Sequence, residues 1–367
     1  MIFKGVLRLI GAGGLFVAAF GQSTPNIAPV PSDPLELATG PVQVVASPAR
    51  RDAALKLLAR ARESYALRKV GRAYNLKVNF TVNSGGQTDY DGTWRMEDLF
   101  DPQQGHRWTA AAESGYSTTR ISARKMFYGD GTASMIPLRL HEARAALLGP
   151  IPSAQNVARE LIRTSPSTYN GVPVTCILLS DSEGAVPAAP RRAWEETEDC
   201  IDPQSGLLQV QSQVPGRYYA YDYTNAPQLG DCRLPRKVKV TEAGKIVSEI
   251  TVESLTEIPA ADSSLFVPSD RMKAKGPAIA MTGAQKVFLD SGVAPFAAIA
   301  TVRPVCVFGL VTPTGQIAEA HSLQPSDPNS RAAVDAAKRM NFSIPVASGA
   351  RPQQHFVFVI ERFASSE

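Results

Sequence analysis

Glu195, Glu196, Glu198 and Asp199 stand together near the middle of the chain, and paired carboxylates are common instruments of general acid–base work. Their setting is that of a strand at a loop edge, where successive side chains point to opposite faces. Half of the group then points away from the other half, so the cluster reads as a solvated face. Cys176, Cys200, Cys232 and Cys306 could hold a metal or form disulfides. No two are spaced as CxxC, and His106, His141, His321 and His355 are scattered singly, so a zinc site lacks its ligands. Disulfides or buried thiols remain. No GxSxG, HExxH, Walker or dinucleotide glycine motif occurs. The chain reads as a non-enzyme with no cofactor and no metal.

The aromatic residues Phe80, Trp94, Trp108, Phe127, Tyr128 and the run 219–223 offer binding rather than catalysis. They are either the core of a sheet or the wall of an apolar cavity, and both uses turn them inward. Lys and Arg number 38 against 34 Asp and Glu, with no basic block or stripe, so nucleic acid is not an expected partner.

The N-terminus has three parts: Lys4 and Arg8 in the first eight residues, an apolar run over 9–20, then Ala19-Phe20-Gly21 before Gln22. That is the pattern of a secretory signal peptide. The rival reading is an uncleaved anchor, but a helix over 9–20 reaches only about 18 Å against a hydrocarbon core of about 30 Å. Export places the protein in the periplasm, an oxidising compartment in which disulfides persist.

Residues 22–48 hold six prolines and form an extended linker. Over 48–67 the period becomes helical, with Ala54, Leu57, Leu58, Ala61 and Tyr65 on one stripe. After Gly71 the period is two: Tyr74, Leu76, Val78, Phe80 and Val82 alternate with polar residues, and closely spaced strands follow. Helix-like insertions around 138–148 and 154–163 interrupt them, and strands resume to about 255. The expected module, 49–268, is a large curved antiparallel sheet with a few helices. A second linker is expected over 269–285. In the last module, 286–367, Gly315 turns a hairpin, Asp327-Pro328 opens a helix, and a final strand runs over 355–363. The fold class is α+β. Strands 172–180 and 194–201 should be neighbours, which sets Cys176 opposite Cys200 as a disulfide; Cys232 and Cys306 offer alternative pairings.

The last module resembles the C-terminal domain of the TonB energy-transducing family. The matching landmarks are the hairpin 305–320, the helix ending Ala336-Ala337-Lys338-Arg339-Met340-Asn341-Phe342, then Pro345, Gly349 and the strand closing at Phe363. The resemblance implies a ββαβ fold whose edge takes up a partner peptide, with Phe356, Phe358 and Ile360 as candidates along that edge. The larger module is similar to the periplasmic LolA/LolB-like lipoprotein carriers, a superfamily that includes RseB-type stress sensors. That similarity rests on Gly92-Thr93-Trp94, the turn 202–206, Tyr221-Asp222-Tyr223 and Leu265-Phe266-Val267-Pro268. It implies an unclosed half-barrel, capped by helices, whose apolar interior can hold acyl chains.

Two readings follow. In one, the half-barrel binds a lipid or lipoprotein acyl chain, with Val78, Phe80, Trp94 and Trp108 as candidate lining. In the other, the protein is an adaptor that engages an outer-membrane or other envelope protein through its last module. Both require export, and intact-mass measurement of the periplasmic protein should find Gln22 as its first residue. Retention of Met1 in a membrane fraction would overturn the cleaved-leader reading.

Overall fold

Ser47 starts the first helix, α1 (Pro48–Glu63). Its side chain accepts from the Arg50 amide, and Pro48 takes a position where a missing N–H costs nothing. The computed structural model describes residues 43–44, 47–123, 126–180, 192, 195–259, 261–290, 302–342 and 353–364. The expected leader, most of the segment 22–48, and Trp194, Pro345 and Gly349 lie outside them. Among the described residues no helix is long and apolar enough to cross a membrane.

A short strand, β1 (Gln43–Val44), precedes α1. A meander follows: β2 (Tyr74–Val82), β3 (Gly92–Asp101), β4 (Gly105–Ala112), β5 (Ser117–Ala123) and β6 (Met126–Gly131). Helices α2 (Leu138–Leu148) and α3 (Ala154–Val157) come next, then β7 (Leu161–Tyr169), β8 (Val172–Ser180), β9 (Thr197–Ile201), β10 (Leu208–Val214) and β11 (Arg217–Asp222). A small hairpin, β12 (Gln228–Leu229) and β13 (Cys232–Arg233), leads into β14 (Lys237–Glu242) and β15 (Lys245–Glu257). Strand β15 pairs with β2 and so joins the two meanders into one antiparallel sheet of 13 strands, with β1 and β6 at its open edges.

Alternation decides which face is apolar. In β2, Tyr74, Leu76, Val78, Phe80 and Val82 are buried. They share one continuous core with Leu58 of α1, Leu140 and Leu147 of α2, Trp108 of β4 and Ile177 of β8. Strands β8 and β4 are eight steps apart in the sheet, which in a flat sheet at about 4.8 Å per step would separate them by about 40 Å. A single core therefore requires the sheet to wrap around the helices. It is a curved, unclosed sheet.

The expected disulfide is present. Cys176 and Cys200 are register partners across β8 and β9, with an S–S distance of 2.04 Å, and they lie on the face turned away from the helices. The acidic cluster differs from its expected solvated face. Glu196, Glu198 and Asp199 are buried, because Arg163 pairs with Glu196 (2.6 Å), Arg192 with Glu198 (3.2 Å), and Gln211 donates to Asp199 (2.8 Å).

The last module also departs from expectation. Residues 269–285, expected as a linker, hold α4 (Asp270–Lys275) and the start of β16 (Ala280–Asp290). Arg271 and Lys275 reach Asp130, and the Ala278 amide donates to the Phe127 carbonyl, so this stretch lies along the β6 edge. Beyond it come β17 (Val302–Val311), β18 (Ile317–Ser322), α5 (Ser330–Lys338) and β19 (Gln353–Ala364), in the sheet order β16-β19-β17-β18. The strand–strand–helix–strand order is there, but Phe356, Phe358 and Ile360 do not lie on an edge. Strand β19 is interior, paired antiparallel with β17 and parallel with the chain's own β16.

This small sheet packs on α2. Phe308, Phe356 and Phe358 meet Leu138 and the half-buried Ala145, while Leu140, Ala143, Ala146 and Leu147 face the large sheet. Two glutamines fasten the modules. Gln354 donates to the Ile136 carbonyl (3.2 Å) and accepts from its amide (3.3 Å); Gln87 does the same to Ser322 of β18 (3.3 and 2.8 Å).

His141 is the weak point of that contact. Its ring lies 4.4 Å from the ring of Phe356, and among the described residues neither ring nitrogen has a hydrogen-bond partner. Burial, with Arg144 and His355 nearby, pushes its pKa down to about 3. Below about pH 6.5 the unfolded chain takes a proton that the folded chain refuses, so stability falls by about 1.4 kcal/mol per unit until the folded pKa is reached. Between pH 7 and 5 that is about 2 kcal/mol. Urea midpoints at the two pH values should show His141→Leu losing less stability than the native chain; equal losses would count against this placement of His141.

Candidate functional site

The residues picked out as cavity lining are packed. Val78, Phe80, Trp94 and Trp108 are at most 4% exposed. Phe80 stacks on Trp94 at 5.3 Å, Tyr116 tilts against Trp94 at 5.4 Å, and the Arg144 guanidinium sits 4.1 Å over Trp108. Side chains fill the space that Phe80, Trp94 and Trp108 face.

A pocket borders this core where the chain passes from α1 into β2, and it is called the mouth below. After α1 the chain makes a 3-10 turn, Leu67–Val70, and leaves it through Gly71, whose φ of 70° is the left-handed region that glycine enters without strain. That turn, the first residue of β2 and the last turn of α2 enclose a pocket of about 330 Å³. Tyr65, Leu67, Tyr74 and Leu148 supply its apolar wall, and Arg68, Arg144 and Lys69, the last paired with Glu63, its charge. A larger groove of about 580 Å³ runs along the outer face of the sheet past Lys77, Asn79, Arg95, Glu97, Thr109 and Thr119. Val78, Met96 and Ala110 of the core also border it, but it has no aromatic lining, and its charged residues lie on the outer face of the sheet.

Asp98 lies behind the mouth, bonded to two of its lining residues, Arg144 and Tyr74. It is wholly buried and accepts from Arg144 (2.9 Å), from the Tyr74 hydroxyl (3.2 Å) and at 2.8 Å from His106 Nε2. Burial by itself would raise the carboxyl, but His106 and Arg144 hold it well below the usual carboxylate range. Burial pushes the His106 pKa down, which favours the neutral ring. Arg68 Nη2 lies 3.0 and 3.1 Å from the two ring nitrogens of His106, and among the described residues no carboxylate forms an ion pair with Arg68. Two guanidinium groups thus face one carboxylate. One positive charge is left over at the edge of an apolar core. Farther in, the Tyr65 and Tyr223 hydroxyls meet at 2.7 Å, and Tyr223 donates to the Leu208 carbonyl.

Sequence reasoning passed over Asp98, Arg68 and Arg144, and weighed His106 only as a metal ligand. A signal was present for two of them: Asp98 falls in phase with Trp94, and His106 with Trp108, so each places a titratable group on the apolar side of its strand. Arg68 and Arg144 carry no such mark, because their neighbours come from segments far away in the chain.

Cys176, Cys200 and Glu198 bring their sulfur and oxygen atoms within 4.8 Å of one another, but both sulfurs are spent in the disulfide. Cys232 and Cys306 are buried thiols in separate modules.

No protein-family model matches this chain, and no curated protein matches it. Solved structures similar to it include a putative outer membrane lipoprotein-sorting protein domain from Vibrio parahaemolyticus, at 8% identity and a TM-score of 0.35, over 59% of this chain and 97% of that one. A LolA superfamily protein from Nitrosomonas europaea is similar at 10% identity and 0.37, over 58% and 96%. MucB in complex with MucA is similar at 12% and 0.25, over 70% and 74%. None of these is a TonB-type domain. Likenesses this distant assign neither a family nor a ligand.

Replacing Asp98 by Asn leaves Arg144 buried beside a neutral group. Breaking a buried pair in this way costs about 3–5 kcal/mol. The urea midpoint of Asp98→Asn at pH 7 should fall accordingly. Because the folded pKa of Asp98 is depressed, its contribution is present above the unfolded value near 4 and fades as pH drops below it, so the gap between the two proteins should narrow in acid.

Proposed function

We propose that this chain is a non-catalytic envelope binding protein, and that its ligand is an acyl chain with an anionic end, presented by a lipid or lipoprotein. The observation that carries the reading is the surplus guanidinium charge at the mouth of an otherwise apolar core. An anion there gains a charge-assisted hydrogen bond, worth about 1.5–3 kcal/mol. The chain behind it gains about 0.8 kcal/mol for each methylene it removes from water. Association offsets part of this, so both ends of the ligand are needed for useful affinity. The apolar side chains lining the mouth, Leu67, Tyr74 and Leu148 among them, suit an alkyl chain. The adaptor reading has less support, because β19, which carries Phe356, Phe358 and Ile360, is interior.

Delipidated protein titrated with palmitate should show a saturable change in tryptophan emission, since Trp108 lies directly under Arg144. Arg68→Glu should weaken palmitate about tenfold or more and leave hexadecanol nearly unchanged. Leu148→Asp should weaken both. Absence of saturable binding, or palmitate binding indifferent to Arg68→Glu, overturns the proposal.

A further inference from the structure

We infer that the C-terminal sheet is a clamp on α2, and that its seating controls access to the mouth of the half-barrel. The inference rests on the reading of that mouth as the ligand site. Its basis is a shared element: Arg144, Ala145 and Leu148 line the pocket, while Leu138, the half-buried Ala145 and Arg139 of the same helix meet the C-terminal sheet. Moving α2 changes the pocket, and the C-terminal sheet is what holds its outer side.

Helix α2 is poorly equipped to hold itself. It has 11 residues, no side-chain N-cap and no acidic residue in its first turn. A helix of that length is marginal without packing. Its first amide is satisfied from the other module, by Glu319 of β18 at 2.8 Å, and Gln354 of β19 fixes the preceding backbone at Ile136.

The two sides of α2 differ in kind. Toward the large sheet it presents Leu140, Ala143, Ala146 and Leu147 to an apolar core. Toward the small sheet the contact is mixed. Phe308 lies 4.0 Å from the Arg217 guanidinium, Arg217 pairs with Glu142 and Glu242, Arg139 pairs with the same two carboxylates, and His141 has no polar partner against Phe356. Charges and an unpartnered imidazole regain water when such a contact opens, which offsets part of what its aromatic rings lose. The outer contact is therefore the one that opens at lower cost. Once it opens, α2 keeps only its inner packing, and a chain longer than the resting pocket of about 330 Å³ has a route beneath it.

The test uses the full chain. Gln354→Ala removes both bonds to Ile136 without touching the pocket, and Phe356→Ala is a stronger version of the same change. Amide hydrogen exchange should accelerate about tenfold across 138–148 while β2–β4 keep their protection, because local opening is read separately from global unfolding. Stopped-flow association of palmitate should speed up in the same variants. Unchanged exchange in α2, or acceleration spread equally over β2–β4, overturns the clamp. Selective acceleration in α2 with an unchanged palmitate rate also overturns it as a control on access. Selective acceleration with no palmitate binding in either protein leaves the clamp on α2 standing and sinks the reading of the mouth.

Discussion

A guanidinium or carboxylate taken out of water costs several kcal/mol unless opposite charges and hydrogen bonds meet it. Helix α2 takes three such groups inside, Arg139, Glu142 and Arg144, and the Arg139–Glu142 pair is all that the helix itself supplies to them. Glu242 on β14 and Arg217 on β11 come to the first two; Asp98 on β3 comes to the third. In the strand order, β3 and β11 lie on opposite sides of β15 and β2. Only a sheet that bends around the helix brings both to it. The curvature of the large sheet and the pairing of these charges are one requirement met twice.

That requirement also explains the place of the C-terminal sheet. Glu242 and Arg217 stand at the ends of their strands, where water would reach them if α2 were covered by nothing. Phe308 and Phe358 cover Arg217 at 4.0 and 5.7 Å, and the ion pairs are shut away. Burial would push Arg217 down, but Glu142, Tyr219 and Glu242 hold its pKa well above the usual value, so it stays charged inside the contact. The aromatic rings of the small sheet cover the charges as well as packing with one another.

Much of the frame was legible in the sequence for local reasons. The alternation over 74–82 names its own inward face, the Gly315 turn names its hairpin, and the spacing of strands around the loop after Ser180 set Cys176 against Cys200. What escaped depended on partners distant in sequence. Glu196 and Glu198 read as solvated because Arg163 and Arg192 approach from a separate strand and loop. Residues 280–285 read as the end of a linker because a parallel edge strand needs β19, some seventy residues later, before its pattern means anything. The mouth was half legible, through Asp98 and His106 in phase with tryptophans, while its arginines were not.

Buried charge alone therefore does not single out the proposed site; the balance of charge distinguishes it. Around Arg139 and Arg217 there are two guanidinium groups and two carboxylates, each engaged more than once and sealed by aromatic rings. Nothing is left for a ligand to neutralise, and the set serves packing. At the mouth the same residue types occur in a ratio of two to one, because Asp98 meets Arg144 while Arg68 rests against a neutral imidazole. A carboxylate or phosphate arriving there completes the set that the fold leaves incomplete. Arg68 stands at the exposed rim and Arg144 deeper, over Trp108, so the charge is graded from solvent toward the core. An amphiphile has the same polarity, with a charged end for the rim and an alkyl chain for the side chains behind it.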